Sequence, residues 1–199
     1  IIARPFEGSP GGFFRRNDLR KDFLCLPVAP NLLQFLSRTP YALISVGKIH
    51  DIFGGAFFTN NLPAHTNQEV FQQVFTCAQK DFEGLLFANF NDFDTLYGHR
   101  NDALGFVRAL QWLDENFPSL LEKFTPDDWL IVTSDHGNDP TTPSTDHSRE
   151  WVPLLVYRKG KKAVYLGDRE SLSDLAATLA EIFQVPFDCP GKSFYALLN

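Results

Sequence analysis

The residues best equipped for chemistry stand in two short stretches: DFDTLYGHRND, with Asp94 and His99, and TSDHGNDPTTPSTDHSRE, with Asp135, His136 and His147. The chain has five histidines in 199 residues, and His99, His136 and His147 all fall here, a concentration that asks for a cause. Carboxylates and imidazoles together make a mixed oxygen and nitrogen ligand set, which suits zinc or manganese better than calcium or magnesium, whose shells are mostly oxygen. These ligands are too many for one four-coordinate ion with an open position, and point to a pair of ions of the kind that serves phosphoryl transfer. Taken singly, each pair has a plainer reading. An Asp-His dipeptide after a strand is commonly a capped turn with a solvated imidazole, and Asp146-His147 equally reads as an N-cap beside a surface histidine. What favours ligation is that the clusters all follow predicted strands at one sheet edge.

Other residues flank these loops. Lys48, within VGKI, comes directly after an apolar segment and a glycine, where a backbone turn and an ammonium can together hold a phosphate. Arg4, Arg20 and Arg149 are further cations near the loops, with a solvated surface charge as the plain alternative. Asp92, Asp102, Asp139 and Asp146 read either as turn formers and caps or as carboxylates that fix the tautomer of a ligating imidazole, and the second role suits Asp146 best. His50 and His65 receive no role, and the 20 phenylalanines read as core packing.

Elements must hold these residues together. YALISV (41–46), GLLFANF (84–90), DWLIVTS (128–134) and VPLLVY (152–157) are apolar, partly β-branched runs that read as buried strands. Between them lie helical patterns: one from residue 67, one from 102 with Phe106, Val107, Leu110 and Leu113 as its inner face, and a last one in which Leu172, Leu175, Leu179 and Phe183 recur at helical spacing. Asp94 and His99, five positions apart, need a bend between them, which Gly98 would provide. Strands alternating with helices predict an α/β fold, a mostly parallel sheet sandwiched by helices. Loops at the carboxyl ends of such strands converge, and that is where ligands bind. Residues 1–26, Gly-rich and without a clear period, read as a tail or a remnant of another domain, bounded by Pro27 and Pro30 from a core over 27–199.

Composition narrows the classes. With 44% hydrophobic and 21% charged residues the chain has an ordinary globular balance. A formal charge of −6 argues against a general affinity for nucleic acid, which needs clustered Lys and Arg. No apolar run approaches a membrane span, and IIARPFEGSPGG lacks the basic and long apolar regions of a signal peptide. Three cysteines, Cys25, Cys77 and Cys189, are odd in number and widely spaced, so reduced thiols in a soluble, cytoplasmic protein are expected. There is no Met, even at position 1, and the sequence is expected to be part of something longer.

In order and spacing, VGKIHDIFGG, DFDTLYGHRND and TSDHGNDPTTPSTDHSRE closely resemble the prokaryotic phosphopentomutases of the alkaline phosphatase superfamily, and the likeness runs from IIARPFEG through NFNDFD to PGKSF. The resemblance implies an alkaline phosphatase-like core with a remnant of an α/β cap domain at the N-terminus. It implies an enzyme that interconverts the 1-phosphate and 5-phosphate of ribose or deoxyribose, linking nucleoside phosphorolysis to central carbon metabolism. Two manganese ions, or zinc or magnesium in their place, would serve it, with a sugar bisphosphate as intermediate and activator. By motif position, Asp94, His99 and His147 would ligate one ion and Asp135 and His136 the other. Lys48 would lie close to the transferred phosphoryl group, Arg4 and Arg20 would face the substrate phosphate from the cap, and Asp146 would support His147. The family's NRHD reads LRKD here. Family members begin with a strand bearing another Asp ligand, then a Thr nucleophile and most of the cap, so the resemblance implies a C-terminal half, inactive alone and in need of an N-terminal half. A cofactor-independent phosphoglycerate mutase or a phosphatase is the nearest rival activity, and a noncatalytic metal-binding remnant or subunit the rival of another class.

Overall fold

The computed structural model of the chain describes residues 2–16, 19, 21–24 and 30–198. Arg20, Cys25 and Pro27 lie outside the described residues. The first segment folds as two short antiparallel ribbons: β1 (Ile2–Ala3) pairs with β4 (Lys21–Asp22), and β2 (Phe6–Glu7) pairs with β3 (Phe14–Arg15). Arg16 pairs with Glu7 across this region. It therefore has regular structure where the sequence shows no period.

The centre is a parallel sheet of three strands in the order β6 (Asn60–Leu62), β5 (Ala42–Val46), β7 (Gly84–Ala88). In β5, Leu43 faces one side and Ile44 and Val46 the other, and all are buried. This double burial explains why the strand reads as a continuous apolar run rather than an alternating one. Leu43 packs with Leu32 and Leu36 of α1 (Leu32–Leu36) and Ala180 of α5 (Ser173–Ile182), and a single-turn α2 (Ile49–Ile52) follows β5. Ile44 and Val46 pack with Val70 and Cys77 of α3 (Asn67–Ala78), whose Phe71 meets Leu113 and Leu120 of α4 (Ala103–Leu121). Helices thus cover both faces, as the pattern predicts. Burial of Cys77 pushes its thiol up in pKa, so this cysteine behaves as a small core hydrophobe. Among the described residues, no helix is long and apolar enough to cross a membrane.

The other predicted strands depart from the expected parallel sheet. β8 (Leu130–Thr133) and β9 (Leu154–Tyr157) form a separate antiparallel pair, with Thr133 opposite Leu154. Antiparallel strands can be joined by a loop on one edge, and here the loop over 134–153 is the one that carries Asp135, His136 and His147. A lone bridge between Gly137 and Ser148 closes its base.

Two helix faces also differ from the sequence reading. In α4, Val107 and Leu110 are each 48% exposed and Leu113 is buried, so the face against α3 lies further along the helix, at Leu113 and Leu120. Leu172 is 56% exposed and precedes α5, whose buried positions include Asp174 and Thr178. The inward stripe of α5 is partly polar because it holds the chain's last segment: Asp174 accepts from Arg169 and from the Lys192 amide, and the Thr178 hydroxyl accepts from the Phe194 amide.

Candidate metal centre

Parallel pairing places the carboxyl ends of β5, β6 and β7 at one edge, with Val46 level with Leu62 and Ala88. Directly beyond are Gly47-Lys48, the turn into α3, and the segment 89–94. Gly47 has φ 70°, and a Cβ there would come 3.0 Å from the Asn89 carbonyl oxygen, so this turn needs glycine both for its backbone and for its approach to β7.

The segment after β7 is pinned at Asp92. Its carboxylate accepts from the Asn67 amide at 2.7 Å, at the first turn of α3, while the Asp92 amide donates to the Asn67 side-chain oxygen at 3.0 Å. A negative charge there also suits the positive end of the helix. A π-helical turn, Phe93–Tyr97, and a 3₁₀ turn, Gly98–Arg100, follow. They carry Asp94 and His99 onto one site. The bend does not rest on glycine dihedral freedom at Gly98, whose φ is −61°. Glycine is needed because a Cβ at 98 would lie 2.1 Å from the Asn138 side chain; the left-handed residue is Asn101, at φ 52°.

Three imidazoles converge on one oxygen. His147 Nε2 stands 3.1 Å from Asp94 Oδ1, His99 Nε2 stands 3.3 Å from it, and His136 Nε2 stands 3.9 Å from it. The rings stack, His136 against His147 at 3.6 Å and His99 against His147 at 4.9 Å. Candidate ligand atoms of Asp94, His136 and His147 lie within 4.8 Å of one another. Among the described residues Asp135 reaches only His136, at 3.7 Å, and its side chain is 71% exposed.

Hydrogen bonding fixes the tautomers. His99 Nδ1 faces the Thr145 carbonyl at 2.5 Å, and His136 Nδ1 faces the Gly137 carbonyl at 3.2 Å. A carbonyl can only accept, so each Nδ1 carries a proton, and in the neutral form of each ring Nε2 then turns a lone pair toward Asp94. Lone pairs then face a carboxylate, an arrangement that a cation resolves. Protonating the rings instead would stack imidazoliums at van der Waals distance. The donor set therefore fits a divalent ion of the zinc or manganese kind, and the backbone carbonyls supply the outer contacts that orient ligating histidines.

The remaining carboxylates take plainer parts. Asp102 caps α4 by accepting from the Gly105 amide at 2.8 Å. Hydrogen bonds from the Thr141 hydroxyl and amide hold the Asp139 carboxyl below the usual range, in the loop between His136 and His147. Among the described residues the Asp146 carboxylate makes no hydrogen bond; the Thr145 carbonyl holds His99 instead. Arg4 is exposed between β1 and β2, and Arg149 is exposed in the loop. Lys48 donates to Asn91 Oδ1 at 2.8 Å. Asn91 received no role from sequence; an amide directly after a predicted strand at the active edge is the signal that could have pointed to it.

Comparison with known proteins agrees with this chemistry. The family model of the metalloenzyme superfamily matches residues 44–187. The chain belongs to the metalloenzyme superfamily. As a member of that superfamily it is also similar to named enzymes: a phosphopentomutase of Dictyoglomus turgidum is 50% identical over 195 residues, which cover 98% of this chain and 49% of that protein. A phosphopentomutase of Dictyoglomus thermophilum is 48% identical over 200 residues, covering 100% and 51%, and one of Acetivibrio thermocellus is 46% identical, covering 98% and 50%. The chain spans about half the length of the curated relatives it matches.

Proposed function

We propose that this chain is the metal-bearing half of a phosphopentomutase, an isomerase that interconverts the 1-phosphate and 5-phosphate of ribose or deoxyribose. The observation that carries the reading is the convergence of His99, His136 and His147 on a single Asp94 oxygen, in a chain 50% identical to a protein named phosphopentomutase. Asp94, His99 and His147 hold one ion and Asp135 and His136 the other, with Asp146 beside His147 as support. Bound there, manganese, zinc or magnesium supplies polarised phosphoryl oxygens and neutralised charge. Lys48 orients the phosphoryl group at the strand ends through its ammonium. Arg4 and Arg20, in a cap remnant over residues 1–26, take the substrate phosphate, while 27–199 form the core. A sugar bisphosphate serves as activator, and the site works in the cytoplasm.

The 199 residues alone turn over little or no substrate, because the relatives are about twice as long and covalent phosphoryl transfer needs a nucleophile that the family resemblance puts outside this stretch. The test is a coupled assay of ribose 1-phosphate to ribose 5-phosphate. Conversion that appears only when an N-terminal half is added supports the reading. Robust turnover by the 199 residues alone overturns the half-enzyme proposal. Turnover of phosphoglycerate in preference to pentose phosphates overturns the substrate class. Bound metal without turnover in any combination marks a noncatalytic module instead.

A further inference from the structure

The turn that carries His99 and the loop that carries His147 are joined at a second point that the ligand set does not require. His99 Nδ1 faces the Thr145 carbonyl at 2.5 Å. Further along the same turn, Asn101 Nδ2 donates to the Thr142 carbonyl at 2.8 Å. Two donors on one turn thus hold two carbonyls on one loop. The two segments also pack closely, since a Cβ at Gly98 would lie 2.1 Å from the side chain of Asn138, near the start of that loop.

The tip of the loop is stiff enough to pass one grip on to the other. Asp139 Oδ1 accepts from the Thr141 amide at 2.8 Å and the Thr141 hydroxyl at 2.6 Å. The Asp139 carbonyl accepts from the Thr142 hydroxyl at 2.9 Å and the Thr142 amide at 3.2 Å. Pro140 and Pro143 fix φ on either side of that turn, and the Asp146 amide donates to Ser144 Oγ at 3.1 Å. Thr142 and Thr145 therefore move together.

Residue 101 meets two demands at once. Its backbone is left-handed, at φ 52° and ψ 33°, and its amide closes the 3₁₀ turn on the Gly98 carbonyl at 3.1 Å before the chain enters α4 at Asp102. Glycine and asparagine take that backbone readily, but glycine has no side-chain donor. An aspartate would set a carboxylate against the Thr142 carbonyl. Only the Nδ2 end of the asparagine can face that carbonyl, because a carbonyl only accepts. The amide keeps this orientation although its Oδ1 is buried without a protein partner among the described residues.

We infer that Asn101 is a positioning residue: by holding the Thr142 carbonyl it keeps the Thr145 carbonyl on His99 Nδ1, and so keeps the His99 Nε2 lone pair free for an ion. The inference rests on the metal reading of the site. Asp94 Oδ1 stands 3.3 Å from His99 Nε2 and is the competing acceptor. If the tip swings away, the proton of the neutral ring is drawn to Nε2, where Asp94 accepts it, with no change in charge. A ring nitrogen that carries a proton cannot ligate. His136 has no such dependence, because the carbonyl that faces its Nδ1 belongs to Gly137, its own neighbour.

The test compares the unaltered 199-residue chain with Asn101→Gly, which keeps the left-handed backbone and removes the donor, and Asn101→Asp, which keeps the shape and puts an acceptor in the donor's place. Proton–nitrogen NMR of the metal-free chain, above the histidine titration range, reads the tautomer of each ring, and titration calorimetry with manganese chloride reads affinity. In the unaltered chain His99 and His136 both carry the proton on Nδ1. In both variants His99 becomes a mixture of tautomers while His136 stays as it was, and Asn101→Gly binds manganese about tenfold more weakly, the lower end of the range for losing a contact that orients a ligating histidine. A merely structural role would not separate the two rings. A single Nδ1 tautomer at His99 in both variants overturns the inference, as does unchanged manganese affinity in Asn101→Gly, and so does equal disturbance of His99 and His136. Absence of manganese binding by the unaltered chain overturns the metal reading, and the inference with it, whatever the variants do.

Discussion

Two carboxylates in this molecule are each surrounded by nitrogen, and they are built for opposite purposes. Asp174 is 4% exposed and, among the described residues, meets only donors: Arg169 Nε and Nη2 at 2.8 Å and the Lys192 amide at 2.8 Å. Its charge is satisfied by the protein. Asp94 is 26% exposed at the side chain and meets imidazole nitrogens, of which those of His99 and His136 are oriented as acceptors by backbone carbonyls at their far sides. In the neutral state of those two rings, His147 Nε2, at 3.1 Å, is the imidazole nitrogen placed to donate to it. A carboxylate ringed by donors is a structural clasp, whereas one faced by two acceptors favours a cation. Counting nearby nitrogens alone would not separate them; the direction of each hydrogen does.

The sharpest way to break this contrast is to remove each carboxylate in turn. Asp174→Ala leaves the half-buried Arg169 charge without its carboxylate and strands the Lys192 amide, so a loss of about 3 kcal/mol is expected. Urea denaturation reads it, and the loss should be the same with and without metal. Asp94→Ala should show the reverse. Manganese at about 100 times its dissociation constant should stabilise the unaltered chain by about 2.7 kcal/mol, and Asp94→Ala should lose that increment. An equal metal response in both would remove the ligand role from Asp94. Acidification should likewise weaken metal binding, because imidazoles must be unprotonated to ligate; titration calorimetry with manganese at falling pH measures it.

Asp92→Ala tests the support of the site rather than the site. It leaves the buried Asn67 amide without an acceptor, a cost of about 1–3 kcal/mol, and urea unfolding of the metal-free chain should show it. The smallest effect is expected at Asp139. Its carboxyl is held below the ordinary range by Thr141, so its contribution is present above the unfolded value and is lost as pH falls through the lowered folded value. The prediction is a slight acid-side loss of order in the loop bearing His147, seen by amide hydrogen exchange and abolished in Asp139→Asn. A pH-independent loop would break it.

Much of the site was legible in the sequence for a local reason. Asp94, His99, Asp135 and His136 follow apolar runs that end abruptly, and of these runs β7 lies in the parallel sheet while β8 pairs antiparallel with β9, whose connecting loop carries His147. The grouping was less legible. Sequence order sets His136 beside Asp135, and its Nε2 stands 3.7 Å from Asp135 Oδ1, but it also stands 3.9 Å from Asp94 and the ring stacks on His147. Residues 137 and 148 bridge across the loop, and that pairing brings the rings together. The faces of α4 and α5 were misread because helical spacing finds a stripe without saying what covers it: Val107, Leu110 and Leu172 stay exposed, while Asp174 and Thr178 are buried to hold the C-terminal segment.

The sequence by itself determined which side chains are available, that they stand at strand ends, and the α/β alternation that gathers those ends, because these follow from short-range periodicity and residue chemistry. Only the tertiary structure decided that β8 and β9 pair antiparallel, that Thr145 and Gly137 carbonyls face the histidine Nδ1 atoms, and that the Asn91 side chain accepts from Lys48. Those are contacts between residues up to 46 positions apart, and they arise only once burial of the β5 core has fixed where each loop ends.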